Sequence, residues 1–297
     1  MSDILLVTGA SGHFGRRVID YLLNTLDVAP ERVVATTRKP ENLADLSEHG
    51  VEVRAADFDD ANTLAAAFSG TDRALLISTD ALDRPGHRLA QHRAAVAAAQ
   101  AAGLQHVVYT SMPKPEHSPL LFAPDHAGTE QALEQSALPG WTVLRNHWYF
   151  ENLFMSMPSI LASGQWFSAA GNGRIAHIAR DDLARAAATT LASGGDGKNV
   201  YTLSGAQAFT TEEIAQHVSI ATGAPIQVVH VPLDALVQGM VEAGLPEPMA
   251  RIFASFDSNT AAGGVAEVTK DYQRITDREP LAFDAWLQAN ATALSGK

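Results

Sequence analysis

An α/β fold, a doubly wound parallel sheet followed by a smaller α/β C-terminal lobe, is predicted by three features of this sequence. Six strand-like apolar runs alternate with helical segments in the first half. A glycine-rich turn stands between the first run and the first helix. The second half mixes both element types without strict alternation, and no Pro- or Ser-rich linker sets it apart.

The strand-like runs are Ile4–Thr8, Val33–Thr37, Val51–Ala55, Ala74–Ser78, Val107–Thr110 and Trp141–Leu144. Between the first two, Phe14, Val18, Tyr21 and Leu22 share one helical face. Leu43 and Leu46 mark a short helix that Gly50 can end, and Leu64 and Phe68 mark a third. The alanine-rich segment from Arg88 to Ala102 has high helix propensity, with Gly103 at its C-cap position. That helix suits either the face of a homodimer or packing inside the fold. Farther on, Phe150–Ala162 is apolar and aromatic, and residues 169–173 read as a turn. Asp181–Ala192 is helical, its two leading acids favouring the positive helix end. Val200–Leu203 and Ile226–Val231 return to strand. Thr210 with Glu213 forms a capping box ahead of a helix that Gly223 closes. Leu233–Ala243 and Pro248–Phe256 have the pattern of short helices. The division expected is a cofactor domain over 1–146 and a substrate lobe over 147–297, with segments returning to the first sheet.

The 297 residues suffice for a sizeable core, and 46% hydrophobic with 18% charged residues is ordinary globular composition. Thirty-three acids against 21 bases give a formal charge of −12, which argues against nucleic acid or a membrane surface as partner. No apolar run is long enough to span a bilayer, and the first strand starts too early for a leader peptide. With no cysteine, thiolate chemistry is excluded. A cytoplasmic protein is expected.

The motif Thr8-Gly9-Ala10-Ser11-Gly12-His13-Phe14-Gly15 carries the strongest functional signal. Gly9 allows the tight turn, Gly12 lets the backbone approach a pyrophosphate, and Gly15 lets helix and strand pack closely, the Rossmann-like arrangement. Backbone N–H groups and the helix dipole at Gly12–Phe14, with Ser11 beside them, then hold the negative charge. The second strand ends Thr37-Arg38-Lys39, with no acid there to receive a ribose hydroxyl. A guanidinium fork at Arg38, charge at Lys39 and a hydroxyl at Thr37 suit a 2′-phosphate, so NADP(H) is expected over NAD(H). Asp57 and Phe58 end the third strand, placed to meet the adenine; a turn or N-cap carboxylate is the equal alternative for Asp57. Ser78 and Thr79 end the fourth, beside the middle of the cofactor.

Together with the stretches VTGASGHFG, QHRAAVAAAQAAGLQHVVYTS at 91–111, LRNHWYFENL at 144–153 and VEAGLPEP at 241–248, these residues make the chain resemble the NmrA-like group of atypical short-chain dehydrogenases/reductases. Within it, the likeness is to bacterial quinone-reducing and triphenylmethane-dye-reducing members and spans nearly the whole chain. The resemblance implies an NADP(H)-binding first lobe and a cleft between lobes for an aromatic or quinonoid substrate.

Ordinary short-chain reductases use a serine after the fifth strand with a Tyr-x-x-x-Lys pair. Ser111 is placed for the serine, but no tyrosine here has a lysine four residues on, and His126 and Glu130 occupy the pair's positions. Reducing a simple ketone yields an alkoxide and needs a placed acid. Hydride addition to a quinone yields a phenolate-type anion of conjugate-acid pKa about 10, which water or a histidine can protonate. The pattern therefore fits a reductase working by alignment of cofactor and aromatic acceptor. His126, with an unperturbed pKa near about 6.5, is expected to donate a proton or hydrogen-bond the acceptor. Asn146 is placed to fix nicotinamide or substrate. Trp148, Tyr149, Phe150 and Phe154 supply either an aromatic wall for the substrate or lobe-to-lobe core. The four prolines of Met112–Pro124 suggest a stiff lid or a surface loop. His87 and His92 are expected to be structural, with no metal called for. A non-catalytic NADP(H) sensor acting through a protein partner is the alternative function; the aromatic block and the likeness to bacterial enzymes weigh against it.

Overall fold

The computed structural model describes residues 3–195 and 197–295. Seven parallel strands form the main sheet: β1 (Leu5–Val7), β2 (Val33–Thr37), β3 (Glu52–Ala55), β4 (Arg73–Leu76), β5 (His106–Ser111), β6 (Gly140–Asn146) and β8 (Lys198–Leu203). Their order is β3-β2-β1-β4-β5-β6-β8. The order reverses between β1 and β4, which opens a crevice at the carboxyl edge.

Helices cover both faces, as the near-continuous apolar strands require. On one side lie α1 (His13–Asn24), α7 (Arg180–Ser193) and α11 (Asp271–Thr276). Val18, Ile19 and Leu22 of α1 meet the sheet there, with Leu183, Ala184, Ala187 and Leu191 of α7 in the same core. The alanines leave room for the two helices to approach. On the other side α3 (Ala61–Phe68), α4 (His87–Ala101) and α5 (Ala123–Gln135) bury Leu64, Phe68, Val96, Ala99 and Leu133. A short α2 (Ala44–Glu48) connects β2 to β3.

The second half builds a separate core around Phe150, Met157, Ile214, Val218, Phe283 and Trp286. Its elements are α6 (Leu153–Ser163), α8 (Thr211–Thr222), α12 (Phe283–Leu294) and a two-stranded parallel sheet of β7 (Gln165–Ser168) with β9 (Gln227–His230). The capping box of Thr210 and Glu213 is formed, and Gly223 ends α8 in the left-handed region. Helices α9 (Leu233–Glu242) and α10 (Glu247–Ala261) pack on each other beside it.

Asp181 and Asp182 do more than face the dipole of α7. Asp181 accepts from Tyr21 and Arg17 of α1, while Asp182 accepts from the Tyr272 hydroxyl and the Leu281 amide. Two acids at one helix start thus tie three parts of the chain together.

Candidate functional site: a nucleotide loop and a buried polar cluster

At the carboxyl edge, Gly9 has φ +59°, and a Cβ on Gly15 would lie 2.5 Å from the Gly9 carbonyl oxygen and 2.8 Å from the Ala10 Cα. Both positions therefore need glycine. Gly12 begins α1 with no side-chain cap and no acid in the first turn, so the N–H groups of His13, Phe14 and Gly15 point outward unsatisfied. Ser11, Gly12 and His13 are exposed and Phe14 half-buried. Ser11 Oγ lies 3.0 Å from Thr37 Oγ1, which joins the loop to the end of β2. Arg38 and Lys39 are exposed, and among the described residues neither side chain has an ion-pair or hydrogen-bond partner. Uncapped amides beside two free cations fit a pyrophosphate with a further phosphate.

Asp57 is half-buried; its Oδ1 accepts from the Asp59 amide at 3.0 Å, and the N-cap of α3 is Asp60. It is thus a turn carboxylate with a second oxygen left over. Phe58 is half-buried against the core beneath it. The Ser78 amide donates to Thr110 Oγ1 (2.9 Å) and the Thr79 amide to His92 Nε2 (3.0 Å).

That last bond fixes a chain of protons. His92 Nε2 accepts, so in the neutral ring Nδ1 carries the hydrogen and donates to Thr129 Oγ1 (2.9 Å), which donates to the Asp125 carbonyl (2.6 Å). With His92 Nδ1 a donor, the Tyr109 hydroxyl donates to its nearer partner, His126 Nδ1, at 2.8 Å. His126 must then carry its hydrogen on Nε2. His126 is 4% exposed, and its pKa is held well below the ordinary value by burial, then by Arg88 and His92. His92 is lowered to about 3 by burial and Arg88. The expectation of an ordinary histidine pKa at 126 fails: this imidazole stays neutral, able to donate a hydrogen bond but not to serve as a stored acid.

The fifth-strand serine is corrected too. Ser111 Oγ donates to Glu130 Oε1 at 2.5 Å, and Glu130 is ion-paired with Arg145 at 2.6 Å. Its one hydroxyl proton is committed to a carboxylate and is not offered to a substrate. Asn146 is buried, its Oδ1 without a hydrogen-bond partner. An enclosed, unanswered carbonyl oxygen there fits a carboxamide N–H. Tyr149 is half-buried under the guanidinium of Arg180, 5.4 Å from its ring centroid.

The aromatic block divides. Phe150 is buried, stacked on Phe283 with centroids 5.1 Å apart, and Phe154 contacts Trp286 at 5.4 Å. Both belong to the second core, because residues 150–163 turn away into the 3-10 turn and α6; neither forms an open substrate wall. Trp148 packs edge-on against Phe256 of α10 at 4.9 Å. The proline-rich segment is docked on α10 as well, with Ser118 donating to Asn259 and Phe122 against Phe256. His87 bridges Asp83 (2.5 Å) and Asp59 (2.8 Å), a structural pairing.

Sequence reasoning missed Tyr109, Arg88 and the Glu130–Arg145 pair. A signal existed for two of them. Two residues along a strand advance roughly 6.6 Å and four along a helix roughly 6 Å, so Tyr109/Ser111 on β5 run level with His126/Glu130 on α5.

This sheet, crevice and loop define a dinucleotide-binding protein of the short-chain dehydrogenase/reductase kind, lacking that class's tyrosine–lysine pair. The chain belongs to the NmrA-like family, whose model matches residues 1–287. It is 34% identical over 272 residues to quinone oxidoreductase 2 of Escherichia coli K12, covering 92% of this chain and 93% of that one. Among solved structures it superposes on an NADPH-dependent quinone oxidoreductase of Escherichia coli complexed with NADPH (TM-score 0.90, 32% identity, 98% and 99% coverage). It also superposes on a Citrobacter triphenylmethane reductase complexed with NADP(H) (TM-score 0.89, 31% identity, 97% and 99% coverage).

Proposed function

We propose that this protein is an NADPH-dependent oxidoreductase that transfers hydride to a quinone or a similar conjugated aromatic acceptor. The observation that carries this reading is a nucleotide loop with free cations at Arg38 and Lys39, next to a site whose serine and lysine positions are locked in the Ser111–Glu130–Arg145 pairing. When bound, NADPH supplies two electrons and one hydrogen from its dihydronicotinamide ring.

The chain's residues account for the rest. The free amides of His13 and Phe14 and the α1 dipole hold the pyrophosphate. Arg38, with Lys39 and Thr37, receives the 2′-phosphate, and Asp57, Phe58, Ser78 and Thr79 flank the cofactor's length. Asn146 Oδ1 accepts from a carboxamide. His126 Nε2–H donates to an acceptor oxygen, and Tyr109 keeps it in that tautomer. Catalysis is by alignment and by a neutral donor where charge develops, so acceptors that form stable anions are favoured over simple ketones. On this reading residues 1–146 serve the cofactor, and 147–297 complete the acceptor pocket through Trp148 and Tyr149. A cytoplasmic location, where NADPH is supplied, and a homodimer belong to the same reading.

The test is the loss of nicotinamide absorbance with menadione, malachite green and a simple ketone, using NADPH and NADH in parallel, for the wild type and Arg38→Ala. Turnover on menadione but not on the ketone is expected, with NADPH preferred. Arg38→Ala should lower kcat/KM for NADPH by about tenfold or more and leave NADH unchanged, since a charged hydrogen bond contributes about 1.5–3 kcal/mol. Tight NADPH binding without turnover on any acceptor would point instead to a sensor.

A further inference from the structure

Arg88 is the second residue of α4 and is 8% exposed. Among the described residues it has no ion pair and no hydrogen-bond acceptor, and its Nε is enclosed and unanswered. Its guanidinium stands 5.4 Å from the ring centroid of Phe122, and Phe122 lies edge-on to His126 at 6.0 Å. Tyr109, Asp125, Tyr149 and Asp80 are within its electrostatic reach. Arg88 therefore borders the cluster that holds the His126 donor and the Tyr149 ring.

Three penalties meet in this side chain. A cation is largely removed from water, with its Nε enclosed, it lacks a counter-ion in contact, and it stands at the positive end of a helix dipole. Gly128 lets α4 come close to α5, where any Cβ would lie 2.8 Å from Leu89 Cδ1. The positive charge is thus held against the acceptor pocket by the packing of α4 on α5.

Resting on the reading of the site as a quinone-type reductase, we infer that Arg88 makes the acceptor pocket an oxyanion-recognising site. It selects acceptors whose reduced form is a phenolate-type anion and disfavours acceptors that enter as cations. In the step concerned, the C–H bond at the dihydronicotinamide carbon breaks and two electrons and the hydrogen pass to the quinone. The nicotinamide becomes the oxidised pyridinium, the quinone becomes the hydroquinone monoanion, and water supplies the second hydrogen as a proton. The negative charge that appears on oxygen is what Arg88 and His126 Nε2–H meet. A triphenylmethane cation gains no such charge and loses its own, so the same arginine repels it on entry.

The experiment compares wild type, Arg88→Met and Arg88→Lys by three readouts: menadione and malachite green kinetics at saturating NADPH, calorimetric titration of the NADP+-loaded protein with p-nitrophenolate, and melting temperature. For Arg88→Met we expect kcat/KM for menadione to fall about 100-fold, that for malachite green to rise, and p-nitrophenolate binding to be lost. Arg88→Lys should retain part of each. Arg88→Met should also melt higher, because an unpaired buried charge has gone. Unchanged p-nitrophenolate binding in Arg88→Met overturns the inference. So does a rise in KM for NADPH alone, which would assign the charge to the cofactor, and so does a lower melting temperature with unchanged acceptor preference. If the wild type reduces neither acceptor, the functional reading fails, while the p-nitrophenolate titration still decides for or against Arg88.

Discussion

A hydroxyl has one proton to give, and Ser111 gives it to Glu130, which is paired with Arg145. Ser111→Ala is therefore expected to leave menadione kcat within about threefold of wild type. Its cost falls on stability, about 1 kcal/mol for one lost hydrogen bond, read from the denaturant midpoint. A loss of 100-fold or more in kcat, the size of a missing oxyanion donor, would return Ser111 to the catalytic group. Residues of this kind separate what the sequence reveals from what it hides. The loop glycines, and the place of Arg38 directly after β2, are legible because their spacing from a strand end is set by local geometry. Arg88 is not: an arginine in an alanine-rich helix reads as a solvated face, and only the packing of Phe122 and α5 over it encloses its Nε and most of its side chain. Phe150 and Phe154 mislead for the same reason, since an aromatic run after a strand end fits a pocket wall and a second core equally well.

Among the elements, α1 shows how tightly cofactor binding and packing are joined. Adding a methyl group at Gly15 drives backbone against backbone, with no flexible side chain to yield. Gly15→Ala should cost about 1–3 kcal/mol and weaken NADPH binding, because the loop must lift from the helix to make room. Fluorescence titration with NADPH, set beside a urea melt, checks both; an unchanged affinity would show that the loop does not need this approach. The strands of the main sheet are legible to within a few residues, since each is a short apolar run bounded by turn signals. β7 is not, because Gln165-Trp166-Phe167-Ser168 is partly exposed and gains its ladder only from β9, remote in sequence. Helix α11, six residues long and ended by Asp277 with φ +54°, is too short to show a period.

In the molecule as a whole, five buried histidines among the described residues are held against protonation: His92 and His147 at about 3, His177 at about 4, His106 below its ordinary value and His126 well below it. Burial is the first cause in each. Below about pH 6.5 the unfolded chain takes up these protons and the folded chain does not, so stability is full above that pH and is lost as pH falls toward the folded values. Each group removes roughly 1 kcal/mol per pH unit in that window. Asp182 and Asp257, raised by burial, act in the opposite sense nearer the carboxylate range. The melting temperature should therefore drop by about ten degrees or more between pH 7 and pH 5. A flat profile there would mean that the five rings accept protons in place.

The strand β8 completes the main sheet beside β6, pairing Trp141 with Lys198 through Asn146 with Leu203. During synthesis this imposes an order of events. The nucleotide loop, β1 and the strands up to β6 emerge first, and β6 is left with an open hydrogen-bonding edge until residues 198–203 have been made. An unpaired edge is a template for another chain. A truncated nucleotide-binding half would thus present a sticky, self-associating ribbon, and the strand that completes the sheet also serves as the cap that keeps nascent chains apart.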